Sequence, residues 1–97
     1  MSSRVHRFQE VRRLGGEYGR ELAAALVLAS SRTADRALKR QMARIVLRQI
    51  AAAVEKLKNA AFPAELTLVY ERAARQGVHE ELLKSQEIAA QLHRHAA

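Results

Sequence analysis

With 97 residues, 48% of them apolar and 28% charged, the chain has the size and composition of one folded, soluble domain and not of a disordered segment. It has no cysteine, which removes disulfides, thiolate metal sites and cysteine nucleophiles, and leaves the redox compartment unread. The 17 Lys and Arg against 10 Asp and Glu give a formal charge of +7, and all of that excess lies in residues 1–48, because residues 49–97 balance.

Ala, Leu, Arg, Glu, Gln and Lys dominate, no alternating run is sustained, and the chain reads as all-α. A first helix is expected over about 3–30, with Val11, Leu14, Tyr18, Leu22, Ala25 and Ala29 inward at three- and four-residue spacing. Gly15, Gly16 and Gly19 interrupt it, each costing roughly 1 kcal/mol against Ala. Either the helix bends there or a neighbour packs too closely for side chains. The second reading is preferred, because Gly15 and Gly19 share a face.

"SSRTAD" then turns the chain, with Thr33 or Ser31 as the cap of a second helix running to about Asn59. Its inward positions are Leu38, Met42, Ile45, Ile50, Val54 and Leu57, and residues 45–54 are apolar nearly all round. Pro63 suits the start of a third, short helix, buried through Leu66, Val69, Tyr70 and Ala73 and stopped by Gly77 as a left-handed cap. A fourth short helix follows from His79, with Val78 and Leu83 spaced as a hydrophobic staple. The expected architecture is one helical domain over 1–97. An antiparallel hairpin of two long helices, about 3–59, packs with two shorter C-terminal helices, about 63–93.

Thirteen of the bases are arginine, which grips carboxylate or phosphate with two parallel hydrogen bonds, although a GC-rich coding sequence enriches arginine too. Arg32, Arg36, Arg40, Arg44 and Arg48 recur every fourth residue. Four residues turn a helix by about 400°, so each arginine is rotated about 40° from the last, and the series cannot meet one flat partner. Arg36, Arg40 and Arg44, with Lys39 beside them, share a face. If the hairpin folds about residues 32–33, facing numbers sum to about 65, so Glu21 meets Arg44, Glu17 meets Arg48, and Glu10 falls near Glu55. Arg4, Arg7, Arg12 and Arg13 form a second basic group at the far end.

Catalytic and metal motifs are set aside. "VYERAARQGVHEELL" has the glycine offset of a helix-turn-helix, but Glu80 and Glu81 would open its recognition helix against phosphate. "RRLGGEYGR" lacks the strand and the Lys-Ser/Thr of a phosphate-cradling loop. His93 and His95 point about 200° apart on a helix, and His6 and His79 stand alone. A tiny helical enzyme for a dianionic metabolite would need Arg and Glu facing inward from two helices. No cofactor, metal, catalytic residue or small-molecule substrate is assigned, and no motif is specific enough to name a family.

The longest apolar run, Leu22–Ala29, is eight residues, against the ~20 of a membrane span. No secretory signal opens the chain, so a cytoplasmic location is expected; the acid-free "MSSRVHRFQ" makes a mitochondrial one the alternative. Apolar residues exceed what two short helices can cover, which points to a protein interface. The expected function is therefore that of a non-enzymatic basic interaction protein: an adaptor, regulator, chaperone or accessory subunit. Leu26, Leu28, Val46 and Leu47 would supply hydrophobic contact, and Arg36, Lys39, Arg40 and Arg44 would select an acidic partner, or a second copy of the chain. The alternative is an RNA or ribonucleoprotein binder using the arginine-rich first half, although only four aromatic residues are present to stack on bases.

Overall fold

The computed structural model describes residues 2–96. Three helices follow in order: α1 (Ser2–Ser30), α2 (Arg36–Asn59) and α3 (Ala64–Ala96), with no strand among the described residues. The all-helical, bundle-like architecture agrees with the sequence reading. The number of helices does not, since three replace two long and two short ones.

The difference lies at Gly77. It occupies the interior of α3, is buried, and has no positive φ, so it ends nothing. A methyl group there would strike the Gly16 carbonyl oxygen of α1. Gly77 is thus spent on a close backbone approach and not on a left-handed cap. Val78 and Leu83, expected to staple a helix start, are instead mid-helix, one buried and the other exposed. The helix-turn-helix disappears with the turn.

The same logic places α1 on α3. A methyl at Gly15 would come 2.5 Å from the Tyr70 carbonyl oxygen, and one at Gly19 would collide with that of Ala74. Gly15 on one helix therefore meets Tyr70 and Ala73 on the other, Gly19 meets Ala74 and Gly16 meets Gly77, and the backbones approach closely because nothing larger than a methyl intervenes. Arg4 pairs with Glu65 at 3.4 Å and Arg20 with Glu80 at 3.7 Å, so residue numbers rise together. The tightest packing is parallel, α1 on α3. The preferred reading of the glycines holds, but the helix they admit is α3 and not the hairpin partner.

Helix α2 runs back antiparallel and supplies Val46, Ile50 and Val54 to a core with Ala23, Ala74 and Val78. Ile50 is the one large side chain in it with under 2% exposure. The turn before α2 is capped by Asp35, and not by Thr33 or Ser31: its carboxylate accepts from the Ala37 and Leu38 N–H groups. An anion suits the positive helix end better than a hydroxyl. Thr33 Oγ accepts from the Asp35 N–H, and Ser31 Oγ donates to the Leu28 carbonyl.

At its other end α2 closes with the Ala61 N–H donating to Lys58 and the Phe62 N–H to Leu57, a Schellman arrangement with Ala61 at φ 58°. The left-handed residue therefore follows α2 and is an alanine. Overall extents are 55 × 27 × 13 Å. The radius of gyration is 16.1 Å, against roughly 12.5 Å for a compact chain of this length.

Candidate interaction surfaces

Charge is distributed by helix. Between Arg36 and Asn59, α2 holds seven bases (Arg36, Lys39, Arg40, Arg44, Arg48, Lys56 and Lys58) against Glu55 alone, and thus carries +6 of the chain's +7. The first five are exposed. Among the described residues none of them lies in an ion pair; those engage Arg4, Arg13, Arg20 and Arg75. Glu17 pairs with Arg13 on its own helix at 2.8 Å and is not held by Arg48. Glu21 likewise forms no ion pair with Arg44.

The register explains this. Leu22 shares a surface depression with Gln49, and Ala29 shares one with Met42, so facing numbers sum to about 71 and not 65. The buried face of α2 sets that stagger, sliding it about one and a half turns past a turn-centred fold.

Four basic residues near the N-terminus separate into two places. Arg4 reaches Glu65, and Arg7 lies beside Phe8 and Leu66. Arg12 and Arg13 instead join Arg20 and Arg72 around an open cleft of about 590 Å³ between α1 and α3, floored by Gly16 and Gly77. Arg13 bonds both Glu10 and Glu17, which holds the Glu10 carboxyl below its usual range and raises the Arg13 guanidinium. Glu80 accepts from Gln76 at 3.2 Å.

Arginines and a glutamate from two helices do converge here, but at the solvent-facing rim, where water competes for every charge. Arg20 and Arg72 were not legible as members of this group. Only the parallel register of α1 and α3 joins them, and the assignment of Gly77 to a turn hid that register.

Among the expected hydrophobic contacts, Val46 is 6% exposed and belongs to the core, reaching the surface only at the floor of the depression between α1 and α2. Leu26 is half-buried against that core. Leu28 and Leu47 are exposed, at 62% and 46%. The consecutive apolar residues Ile45, Val46 and Leu47 gave no phase in sequence, and packing selects Val46 as the inward one.

A more continuous apolar feature lies between α1 and α2. Two depressions meet at Leu22 and Gln49, one running past Tyr18 and Ala52 and the other past Ala25 and Ile45. The small side chains on both walls leave it open. Tyr18 and Tyr70 stack at its base, ring centroids 6.3 Å apart, and burial raises the Tyr70 phenol above its ordinary value.

The side chains of His93 and His95 lie outside the described residues. Among the described residues no three His, Asp or Glu side chains gather as a metal site, and no helix is long and apolar enough to cross a membrane. Compared with family models, with curated proteins and with solved structures, the chain matches none.

Proposed function

We propose that this chain is a non-enzymatic helical adaptor or accessory subunit that docks the arginine face of α2 onto an acidic protein surface. The observation that carries this reading is the run Arg36, Lys39, Arg40, Arg44 and Arg48, all exposed and none in an ion pair among the described residues, with Arg44 and Arg48 on the side of α2 away from the buried Val46 and Ile50. Arginine spread along about 18 Å of axis, from Arg36 to Arg48, matches carboxylates spaced along a partner helix. Leu47 adds apolar area within the row, which suits a protein partner better than a phosphate backbone.

RNA is the competing ligand. Against it, all four aromatic residues are half-buried, two of them stacked on each other, so no flat ring is presented to a base. A tagged pull-down with and without nuclease, run in parallel on Arg40→Glu/Arg44→Glu, tests the proposal. Nuclease-resistant capture of an acidic protein, lost in the variant, is the expected result. Capture abolished by nuclease would overturn it in favour of RNA. Capture indifferent to the two arginines would move the site elsewhere.

A further inference from the structure

The groove between α1 and α2 has the form of half an interface. On α2, Leu38, Met42, Ile45, Gln49 and Ala52 follow at alternating four- and three-residue steps, the spacing of a coiled-coil seam. On α1, Leu14, Tyr18, Glu21, Ala25 and Leu28 follow the same steps. Neither stripe is covered: Leu14, Leu28, Leu38 and Ile45 are exposed, Ile45 to 44%. Lys56 at one end is the sole charge lining the depressions.

The area agrees. The chain exposes 7434 Å², whereas a compact monomer of 10.9 kDa exposes roughly 5,600 Å². The excess of roughly 1,800 Å², part of it on the end of α3, matches the roughly 1,000–2,500 Å² that each copy buries in an obligate homodimer.

Charge then indicates the occupant. The α1 stripe carries Glu21, and α2 carries Lys56 in the groove and Arg48 beside its stripe, whereas Glu17 is held by Arg13 on its own helix. A two-fold axis along the groove lays α1 of each copy over α2 of the other. Because facing numbers sum to about 71, Glu21 then stands level with Arg48 and Gln49 of the second copy. Glu21 in the middle of one seam and Gln49 in the middle of the other become partners, and two polar interruptions fix the register.

We infer that the chain forms a symmetric dimer through this groove, with α1 and α2 of the two copies building a four-helix core. Around α2, Arg36, Arg40 and Arg44 lie about 100–180° from Ile45, so dimerisation leaves that part of the proposed acidic-partner face outside the seam, while Arg48, about 60° away, is taken into its edge. The inference does not rest on that partner, and the isolated chain suffices to test it.

Sedimentation equilibrium from roughly 1 to 100 µM should give a dimer. Ile45→Glu and Ala25→Glu each place an unpaired carboxylate in the seam and should weaken it on the order of a hundredfold, with the helical circular dichroism retained because both positions are exposed. Glu21→Lys should weaken it as well, and adding Arg48→Glu should restore it. Gln76→Glu, in the cleft on the other side of α1, should change nothing. A folded monomer at the top concentration would overturn the inference. So would a dimer indifferent to both groove glutamates, or a double charge swap no tighter than Glu21→Lys alone.

Discussion

Replacing Gly19 and Gly16 with alanine, one at a time, should move stability in opposite directions. Each change gives a helix interior roughly 1 kcal/mol, because alanine loses less backbone freedom on folding. At Gly16 the new methyl meets only the Arg20 guanidinium, 3.3 Å away at the end of a flexible side chain that swings aside. At Gly19 it meets the Ala74 carbonyl, which cannot move without carrying α3 with it. Parting α1 and α3 at their closest point loosens the contact that holds most of the fold, an overpacking cost of roughly 1–3 kcal/mol or more. A net loss of about 2 kcal/mol at Gly19 lowers Tm by roughly 8–16 °C, while the gain at Gly16 raises it by roughly 4–8 °C. Thermal unfolding followed at 222 nm, at fixed protein concentration, reads both. Alanine shifts of the same sign at the two positions would refute the glycine contact between α1 and α3.

Ala61→Gly should stabilise the protein by roughly 1 kcal/mol, since alanine at φ 58° bears the left-handed penalty that glycine lacks; chemical denaturation should show a higher midpoint at unchanged slope. Spin labels at Leu68→Cys and Leu83→Cys, clean because the chain has no other cysteine, should report α-carbons about 22 Å apart along one straight rod. A break at Gly77 would shorten that distance. The Glu10 carboxyl should titrate by NMR below its ordinary range, chiefly through the hydrogen bond from Arg13, and return toward it in Arg13→Gln. Its folded value being the depressed one, any stability from this pair is present above the unfolded pKa and is lost as pH falls through the folded value.

Much of the fold was legible wherever a stripe had a phase. The limits of the first two helices fall almost where periodicity and the Ser30–Asp35 turn put them. Gly77 was misread because glycine serves two physical uses, a left-handed cap and a close approach, and local sequence does not say which. The answer lay in Gly16, sixty-one residues earlier, whose carbonyl occupies the space a side chain would need. Register failed for a related reason. Turn geometry pointed to one stagger, while burial of Val46, Ile50 and Val54 against Ala23 and Ala74 imposes another.

For the interaction surfaces, outward exposure of the α2 arginines followed from spacing alone. That none of them lies in an ion pair among the described residues did not, since Glu17, expected opposite Arg48, bonds Arg13 within its own helix. The groove stripes were partly visible in residues 22–29 and 45–54, but a run apolar on every side hides which residues face a neighbouring helix and which remain open.

The central functional claim, that α2 presents its arginines to an acidic protein, is tested most directly by amide shift mapping. Labelled protein is titrated with a glutamate-rich amphipathic helical peptide and, separately, with a single-stranded RNA oligonucleotide. The account predicts that the peptide binds more tightly than RNA at equal salt, with shifts centred on Arg40, Arg44 and Arg48. Tighter binding of RNA, or peptide shifts centred on the Arg12 and Arg72 cleft, would contradict it.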